Sequence, residues 1–238
     1  MAEKICKLCF YCSFYNTSGC REDQVSSHAM VDFTCPTPSA TATAAKGFCD
    51  RTTVDDVLMV PPTSVYFFKG DQVALRLANG SISWGFPKTV SQMWPKLPPK
   101  IDASFTYSVT GKTYFLKGSQ YWRYTNNVLD DGFPMSIAEG FAGVPDNIDA
   151  ATEWGKYIYF FKDNLYYRYD ACRNHSFAAP TTDFTGVPNL KYDAILVHPN
   201  GNAYFFIGDY YFHFNIAAGK TSPVEPYHIG WHWFICRY

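Results

Sequence analysis

The sequence lacks a strong charge of either sign, and it lacks any long apolar run. Its 238 residues carry a formal net charge of −1, which excludes bulk electrostatic attraction to nucleic acid or to a membrane surface as the main binding force. No apolar stretch approaches the ~20 residues that a membrane-spanning helix needs. Hydrophobic residues make up 47% of the chain and aromatic residues 18%. This composition allows a substantial core and favours β-strands.

Motifs of the common enzyme classes are also missing. There is no Gly-x-Ser-x-Gly elbow, no His-Glu-x-x-His zinc sequence and no complete phosphate-binding loop. Two stretches, Gly111-Lys112-Thr113 and Gly219-Lys220-Thr221, resemble the end of such a loop. The glycine that should come earlier in each loop is replaced by Thr106 and by Phe214. The sequence therefore predicts a protein that is not an enzyme.

The first residues, Met1 to Cys6, lack the apolar core of a secretory signal. Either the protein is not secreted or a signal peptide has been removed from the mature form. The eight cysteines are an even number, as is typical of an oxidised extracellular chain. Glycosylation sequons at Asn16, Asn79 and Asn174 give weaker support. We therefore expect a secreted, disulfide-bonded glycoprotein.

One aromatic pentapeptide occurs four times at nearly even spacing. The copies are YFFKG at 66–70, YFLKG at 114–118, YFFKD at 159–163 and YFFIG at 204–208. An aspartate precedes each copy, at Asp55, Asp102, Asp149 and Asp193. A repeat of this length indicates equal structural units rather than a single binding motif.

Each repeat contains the pattern of several short strands. A small apolar strand follows the aspartate, the pentapeptide forms a second strand, and the glycine after it allows a turn. Residues 121–124, Tyr-Trp-Arg-Tyr, alternate as a half-buried third strand does. In the second repeat, Ser136 and Glu139 fit a helix capping box. The Gly-Val-Pro at 143–145 is expected to end that helix.

Four-stranded units of this size are typical of propeller blades. One twisted sheet cannot bury both of its faces alone, whereas four sheets packed around an axis can, so the pentapeptide aromatics are predicted to pack between blades. A solenoid is less consistent, because its repeats are shorter or helical. We predict an all-β, four-bladed β-propeller at 49–238, with blades at about 49–100, 101–147, 148–190 and 191–238. A short cysteine-rich segment and a linker at 1–48 precede it.

The full pattern resembles the hemopexin repeat. It combines the Asp-Ala start, the pentapeptide, Tyr-Trp-Arg-Tyr, the Gly-Phe-Pro at 85–87 and 132–134, and the Phe-x-Gly-Val-Pro at 141–145 and 184–188. The resemblance covers roughly residues 49–238 and implies a four-bladed propeller that binds a ligand. No protease is implied, because the zinc sequence is absent.

The resemblance also implies a disulfide between Cys49, before the first blade, and Cys236, at the end of the fourth. Closing so long a loop stabilises the folded state by roughly 4–5 kcal/mol in the loop-entropy model. The alternative is two unrelated thiols. If the bond forms, one further bond is expected between the N-terminal segment and Cys172.

The N-terminal cysteines have two interpretations. They are Cys6, Cys9, Cys12, Cys20 and Cys35. Outside the cell they fit a small disulfide knot, whereas in a reducing compartment a Cys-x-x-Cys pair binds zinc.

The resemblance implies that the first strand of each blade lines a central channel with inward carbonyl oxygens, a hard-oxygen site suited to Ca²⁺ or Na⁺. The donors would be one ring at Asp55, Asp102, Asp149 and Asp193, and a second at Val57, Ser104, Ala151 and Ile195. The equally weighted alternative is that the aspartates cap strand ends by local hydrogen bonds. Asp56, where the other blades have alanine, either adds a carboxylate near the axis or points to solvent.

Histidines concentrate in the fourth repeat, at His198, His213, His228 and His232, with His175 in the third. Imidazoles beside aromatics can ligate haem or a transition metal. Ordinary surface or packing histidines are the more common case. We expect ligand contacts where the repeats differ, at Asp56, Phe212, His213, His228 and His232.

These features favour a non-enzymatic extracellular protein that binds a small ligand or a protein or matrix partner, with a cation in the channel. A haem or metal-ion carrier is the second hypothesis, and an enzyme is the third. A homodimer is left open. A nucleic-acid partner and a membrane span are not expected, and the sequence does not name the ligand.

Overall fold

The computed structural model describes Phe48, residues 53–222 and residues 226–234. These residues form four antiparallel sheets, two with four strands and two with five. The first strand of each sheet lies against the first strands of both neighbouring sheets, so the sheets close into a ring around an axis. The predicted all-β, four-bladed propeller is confirmed.

The blades share one strand order. Blade 1 contains β1 (Asp56–Val60), β2 (Ser64–Lys69), β3 (Gln72–Arg76), β4 (Lys88–Thr89) and helix α1 (Val90–Met93). Blade 2 contains β5 (Ala103–Tyr107), β6 (Lys112–Lys117), β7 (Gln120–Thr125), β8 (Val128–Leu129), β9 (Met135–Ser136) and helix α2 (Ile137–Gly140). Blade 3 contains β10 (Ala150–Trp154), β11 (Tyr157–Lys162), β12 (Leu165–Asp170), β13 (His175–Pro180) and a 3₁₀ turn (Thr181–Asp183). Blade 4 contains β14 (Ala194–His198), β15 (Asn202–Ile207), β16 (Tyr210–Asn215), β17 (Lys220–Thr221), β18 (Tyr227–His228) and helix α3 (Ile229–Trp233).

Neighbouring aromatic residues of each pentapeptide lie on opposite faces of the blade. Successive side chains of a strand point to opposite faces, so Phe67 packs between blades 4 and 1 while Phe68 packs between blades 1 and 2. Phe160 and Phe161 likewise serve the seams on either side of blade 3. Each of the four seams therefore has its own aromatic core, which confirms the predicted packing role.

The ring closes where helix α3 of blade 4 meets blade 1. The Trp233 ring lies 5.4 Å from the Phe67 ring, measured between centroids. Arg76 of β3 donates from Nε to the Trp233 carbonyl oxygen at 3.1 Å and places its guanidinium 4.8 Å from the centre of the indole ring. Both contacts join the first blade to the last.

The turn after each pentapeptide needs a left-handed residue. Gly70, Gly118 and Gly208 adopt φ values of 63°, 60° and 59°, and Asp163 adopts 55° in blade 3. Glycine reaches this conformation without the strain that other side chains meet.

The predicted capping box in blade 2 is wrong. Helix α2 forms, but the Ser136 side chain makes no capping hydrogen bond, because Ser136 is paired as part of β9 and the first helical amide donates to the Ser119 carbonyl oxygen. The helix ends at Gly140, before the Gly-Val-Pro. The capping box occurs instead in blade 1, between Thr89 and Gln92.

Several predictions lie outside the described residues. They are the cysteine-rich segment and linker except for Phe48, the sequon at Asn16, and the Cys49–Cys236 bond. Cys172 is described and is exposed, but each of its predicted partners lies outside. In the described part of the chain, no helix is long and apolar enough to cross a bilayer.

Candidate functional site

The repeated aspartates bind the turns that follow the pentapeptides. In every blade one carboxylate oxygen accepts from a backbone amide of the turn between the second and third strands. The pairs are Asp55 with Gly70, Asp102 with Gly118, Asp149 with Asp163, and Asp193 with Gly208. The side chains therefore do what the capping alternative describes. The predicted cation ligands at these residues are main-chain carbonyl oxygens, which these hydrogen bonds do not use.

This bond makes a testable contribution to stability. Replacing Asp102 by alanine leaves the Gly118 amide without its acceptor, 2.7 Å away in the native protein, and should lower the free energy of unfolding by about 1–2 kcal/mol. Urea unfolding measures the change. Asp102→Asn keeps a carbonyl acceptor and should lose less than half as much. Equal losses in the two variants would assign the effect to charge instead.

A lysine outside the repeated motifs, Lys191, joins this end of the channel. Lys191 Nζ lies 2.9 Å from Asp149 Oδ1, and this contact, with the charges of Asp193 and Asp102, raises the pKa of the lysine. Burial raises the pKa of Asp193, and the charges of Asp55 and Asp149 add to that effect. The four aspartates thus face a common region. In the sequence, the only sign that a lysine belongs to this region is its position two residues before Asp193.

Asp56 lies on the channel wall between blades 1 and 2. It is fully buried, and its Oδ2 accepts from the Ser104 hydroxyl. Its other oxygen, Oδ1, is buried without a hydrogen-bond partner among the described residues. Burial raises the pKa of Asp56 to about 7, although the hydrogen bond from Ser104 and the nearby backbone of Val57 and Ser104 oppose the rise. Asp56 is therefore an inner carboxyl group, not a surface residue.

The second predicted ring is buried on the first strands. Its members are Val57, Ser104, Ala151 and Ile195. Only Ser104 has a polar side chain, and that hydroxyl is used by Asp56. A cation at this level would be bound by main-chain oxygens together with the Asp56 carboxylate.

The histidines of blade 4 occupy separate aromatic surroundings. His213 stacks on Tyr204 with ring centroids 5.4 Å apart, and its Nδ1 lies 3.1 Å from the Ser222 carbonyl oxygen. His228 stacks on Trp231 at 5.0 Å, and His232 Nδ1 lies 3.1 Å from the His228 carbonyl oxygen. Within residues 53–222 and 226–234, no three His, Cys, Asp or Glu side chains come together as a metal site.

Two of the three predicted glycosylation residues are described, and both are exposed. Asn79 forms a local turn in which its side-chain oxygen accepts from Ser81. Asn174 lies in the turn before β13 and accepts from the Tyr169 hydroxyl at 2.8 Å. Glycosylation itself stays a prediction.

Comparison with known proteins agrees with this architecture. The Hemopexin family model matches residues 101–146 and 148–175, which make up most of blade 2 and the first three strands of blade 3. The four repeats are hemopexin-like repeats.

Curated relatives share the same region. Human vitronectin is 40% identical over 114 residues, covering 44% of this chain and 23% of vitronectin. Mouse interstitial collagenase B is 31% identical over 211 residues, covering 84% of this chain and 44% of the collagenase. The chain thus spans less than half the length of these curated relatives.

A solved structure supports the fold. The crystal structure of a hemopexin-fold protein from cow pea superposes with a TM-score of 0.62 and 22% identity, covering 76% of this chain and 95% of that one. At this level of identity the likeness concerns the fold alone.

Proposed function

We propose that this chain is a secreted, non-enzymatic protein whose propeller binds a protein or matrix partner. The supporting observation is that large aromatic side chains are exposed where the repeats differ. Trp84 in blade 1 is 83% exposed and Trp231 in blade 4 is 62% exposed. Exposed tryptophans are costly in water and are enriched at the energetic centres of protein interfaces. Similarity to vitronectin and to interstitial collagenase supports an extracellular location.

Trp231 is the better defined of the two anchors. It belongs to the closing helix of blade 4, at the place where the closing helices of blades 1 and 2 have Gln92 and Glu139. His228 stacks against it, and Tyr210, itself 47% exposed, meets the His228 ring at 5.5 Å. The indole is therefore held in one position while its outer face is open, and a preorganised aromatic group loses little entropy on binding.

Replacing Trp231 by glutamine, the residue of blade 1, should weaken binding to a matrix partner by at least tenfold. Because the indole is exposed, the melting temperature should stay within about 2 °C of the native value. We would use immobilised fibrillar collagen as the probe and surface plasmon resonance as the measurement. Val128→Gln, which changes another exposed apolar residue, is the matched control and should bind normally. If the unmodified chain does not bind collagen, or if Trp231→Gln binds as tightly, the proposal fails for this partner.

A haem or metal-ion carrier is the second candidate. It is supported by two imidazole nitrogens, His213 Nε2 and His228 Nδ1, which are buried without a hydrogen-bond partner among the described residues. Titration with haem separates the two functions. A saturable shift of the Soret band that His228→Ala abolishes would favour the carrier.

We also propose that Ca²⁺ or Na⁺ occupies the central channel. The supporting observation is the unpartnered Asp56 Oδ1 on the channel wall, since a buried carboxylate needs a positive partner. A hard cation bound by six to eight oxygens would gain one charged ligand from Asp56 beyond the main-chain carbonyls. The stability series described in the Discussion tests this.

A further inference from the structure

One position of the third strand varies among the blades. It lies directly across from the tyrosine of the pentapeptide and holds Leu75, Arg123, Arg168 and His213 in turn. Only blades 2 and 3 place a guanidinium there. The two arginines have different partners on the next strand outward, and this difference indicates a binding site.

In blade 2 the guanidinium has a carboxylate built into the fold. Asp130 lies across from Arg123, and its Oδ2 accepts from Arg123 Nε and from Lys112 Nζ, each at 2.6 Å. Burial raises the pKa of Asp130, but the hydrogen bonds from Lys112, Thr125 and Arg123 outweigh it and hold the pKa at about 2. Blade 2 therefore shows that a carboxylate suits an arginine at this position.

In blade 3 that carboxylate is missing. Phe177 lies across from Arg168, in the place that Asp130 takes in blade 2. The guanidinium lies 4.8 Å from the centre of the Tyr157 ring and 5.6 Å from that of Phe177. In the described part of the chain, no carboxylate forms an ion pair with Arg168.

Arg168 opens into a small surface pocket with a positive lining. The wall is formed by Tyr157, Arg168, Asp170, Arg173, His175 and Phe177. Asp170, the one acidic side chain of this wall, is used locally, since it accepts from the Cys172 amide and pairs with Arg173 at 3.4 Å. Lys156 adds another cation, 5.3 Å from the centre of the Tyr157 ring. Phe177, 55% exposed, offers apolar surface beside the charge.

We propose that this pocket binds an acidic peptide segment of a protein partner, with one carboxylate in the position that Asp130 occupies in blade 2. A guanidinium held between aromatic rings keeps its N–H edge in a fixed plane, which suits a bidentate carboxylate. This inference shares one assumption with the proposed function, namely that the partner is a protein. The site lies on blade 3, so its failure and the failure of the Trp231 experiment are distinguishable.

The test uses a fluorescein-labelled peptide of alternating glutamate and glycine, with a glutamine and glycine peptide as its neutral match. Binding to the glycan-free full chain is followed by fluorescence anisotropy at about 50 mM salt, where screening is modest. We expect the glutamate peptide to bind at least tenfold more tightly than the glutamine peptide. Arg168→Gln should remove this preference. Arg123→Gln, the matched change in blade 2, should keep it.

The decisive variant is Phe177→Asp. It keeps Arg168 and supplies a carboxylate from the chain itself, as blade 2 does, so it should abolish peptide binding without lowering the melting temperature. Equal binding of the two peptides, or a Phe177→Asp variant that still prefers the glutamate peptide, would overturn the proposal. Preferential binding of a heparin oligosaccharide that displaces the peptide would also overturn it, in favour of a sulfated sugar.

Discussion

Without a cation in the channel, replacing Asp56 by asparagine is expected to stabilise the protein at pH 7.5 and to leave its stability at pH 4 nearly unchanged. The side chain is fully buried, and burial raises the pKa of Asp56 to about 7. At neutral pH the native protein must therefore either keep a proton on this group or hold a buried negative charge. Asparagine has a similar shape and is never charged.

The direction of the pH dependence follows from the two pKa values. In the unfolded chain an aspartate loses its proton near pH 4, whereas folded Asp56 keeps its proton until about pH 7. Between these values the folded state binds one more proton than the unfolded state, so the stability of the native protein falls as the pH rises, by about 1.4 kcal/mol per pH unit. Above pH 7 the loss is complete and amounts to several kcal/mol. The asparagine variant should show no such loss.

Urea unfolding of both proteins at pH 4, 5.5 and 7.5, in EDTA and a sodium-free buffer, measures the difference between them. The contributions of all other titrating groups cancel in this difference. Adding Ca²⁺ then tests the channel cation. A bound cation would keep Asp56 ionised in the folded state, so Ca²⁺ should stabilise the native protein at pH 7.5 and have much less effect on Asp56→Asn. Parallel pH profiles in EDTA would show that Asp56 ionises normally, and an equal Ca²⁺ effect on both proteins would remove Asp56 from the site.

The repeat made the propeller predictable, because the aromatic pentapeptide and the aspartate before it recur in phase. Strand alternation then explains why Phe67 and Phe68 serve different seams. Local motifs were less reliable. Ser136 and Glu139 satisfy a capping pattern, yet Ser136 is held by strand pairing, whereas the box forms at Thr89, which the sequence analysis passed over.

The candidate sites could be identified only from the pairing of strands and blades in the structure. The sequence left open whether the aspartates bind turns or a cation, and only the structure shows the turn amides at their carboxylates. Asp56 was noted as a departure from alanine, but its burial against Ser104 depends on the contact between two blades. Asp130 and Phe177 hold equivalent positions in blades 2 and 3, each across from an arginine. The sequence alone does not align them, because the intervening loops differ in length.

Truncating Phe160 to alanine is expected to be among the most destabilising single changes in the propeller. Its side chain has no exposed surface and lies between blades 2 and 3, with ring centroids 5.0 Å from Phe141 and 5.7 Å from Phe105. Removing the ring takes away burial from both blades and leaves a cavity, which costs about 3–5 kcal/mol for a buried phenylalanine. For a domain of this size the melting temperature should fall by roughly 10 °C.

Phe177→Ala is the matched control, because it removes the same side chain from an exposed position in the same blade. Its free energy of unfolding should change by less than about 1 kcal/mol. Thermal and urea unfolding of the two variants, together with collagen binding of Phe160→Ala below its melting temperature, separates packing from recognition. A Phe160→Ala variant that remains folded should bind collagen normally, because the Phe160 ring is buried between blades 2 and 3 and serves only their packing. If that variant instead unfolds like the native protein but no longer binds collagen, the pentapeptide is a recognition surface, and its fourfold recurrence would require an explanation other than packing.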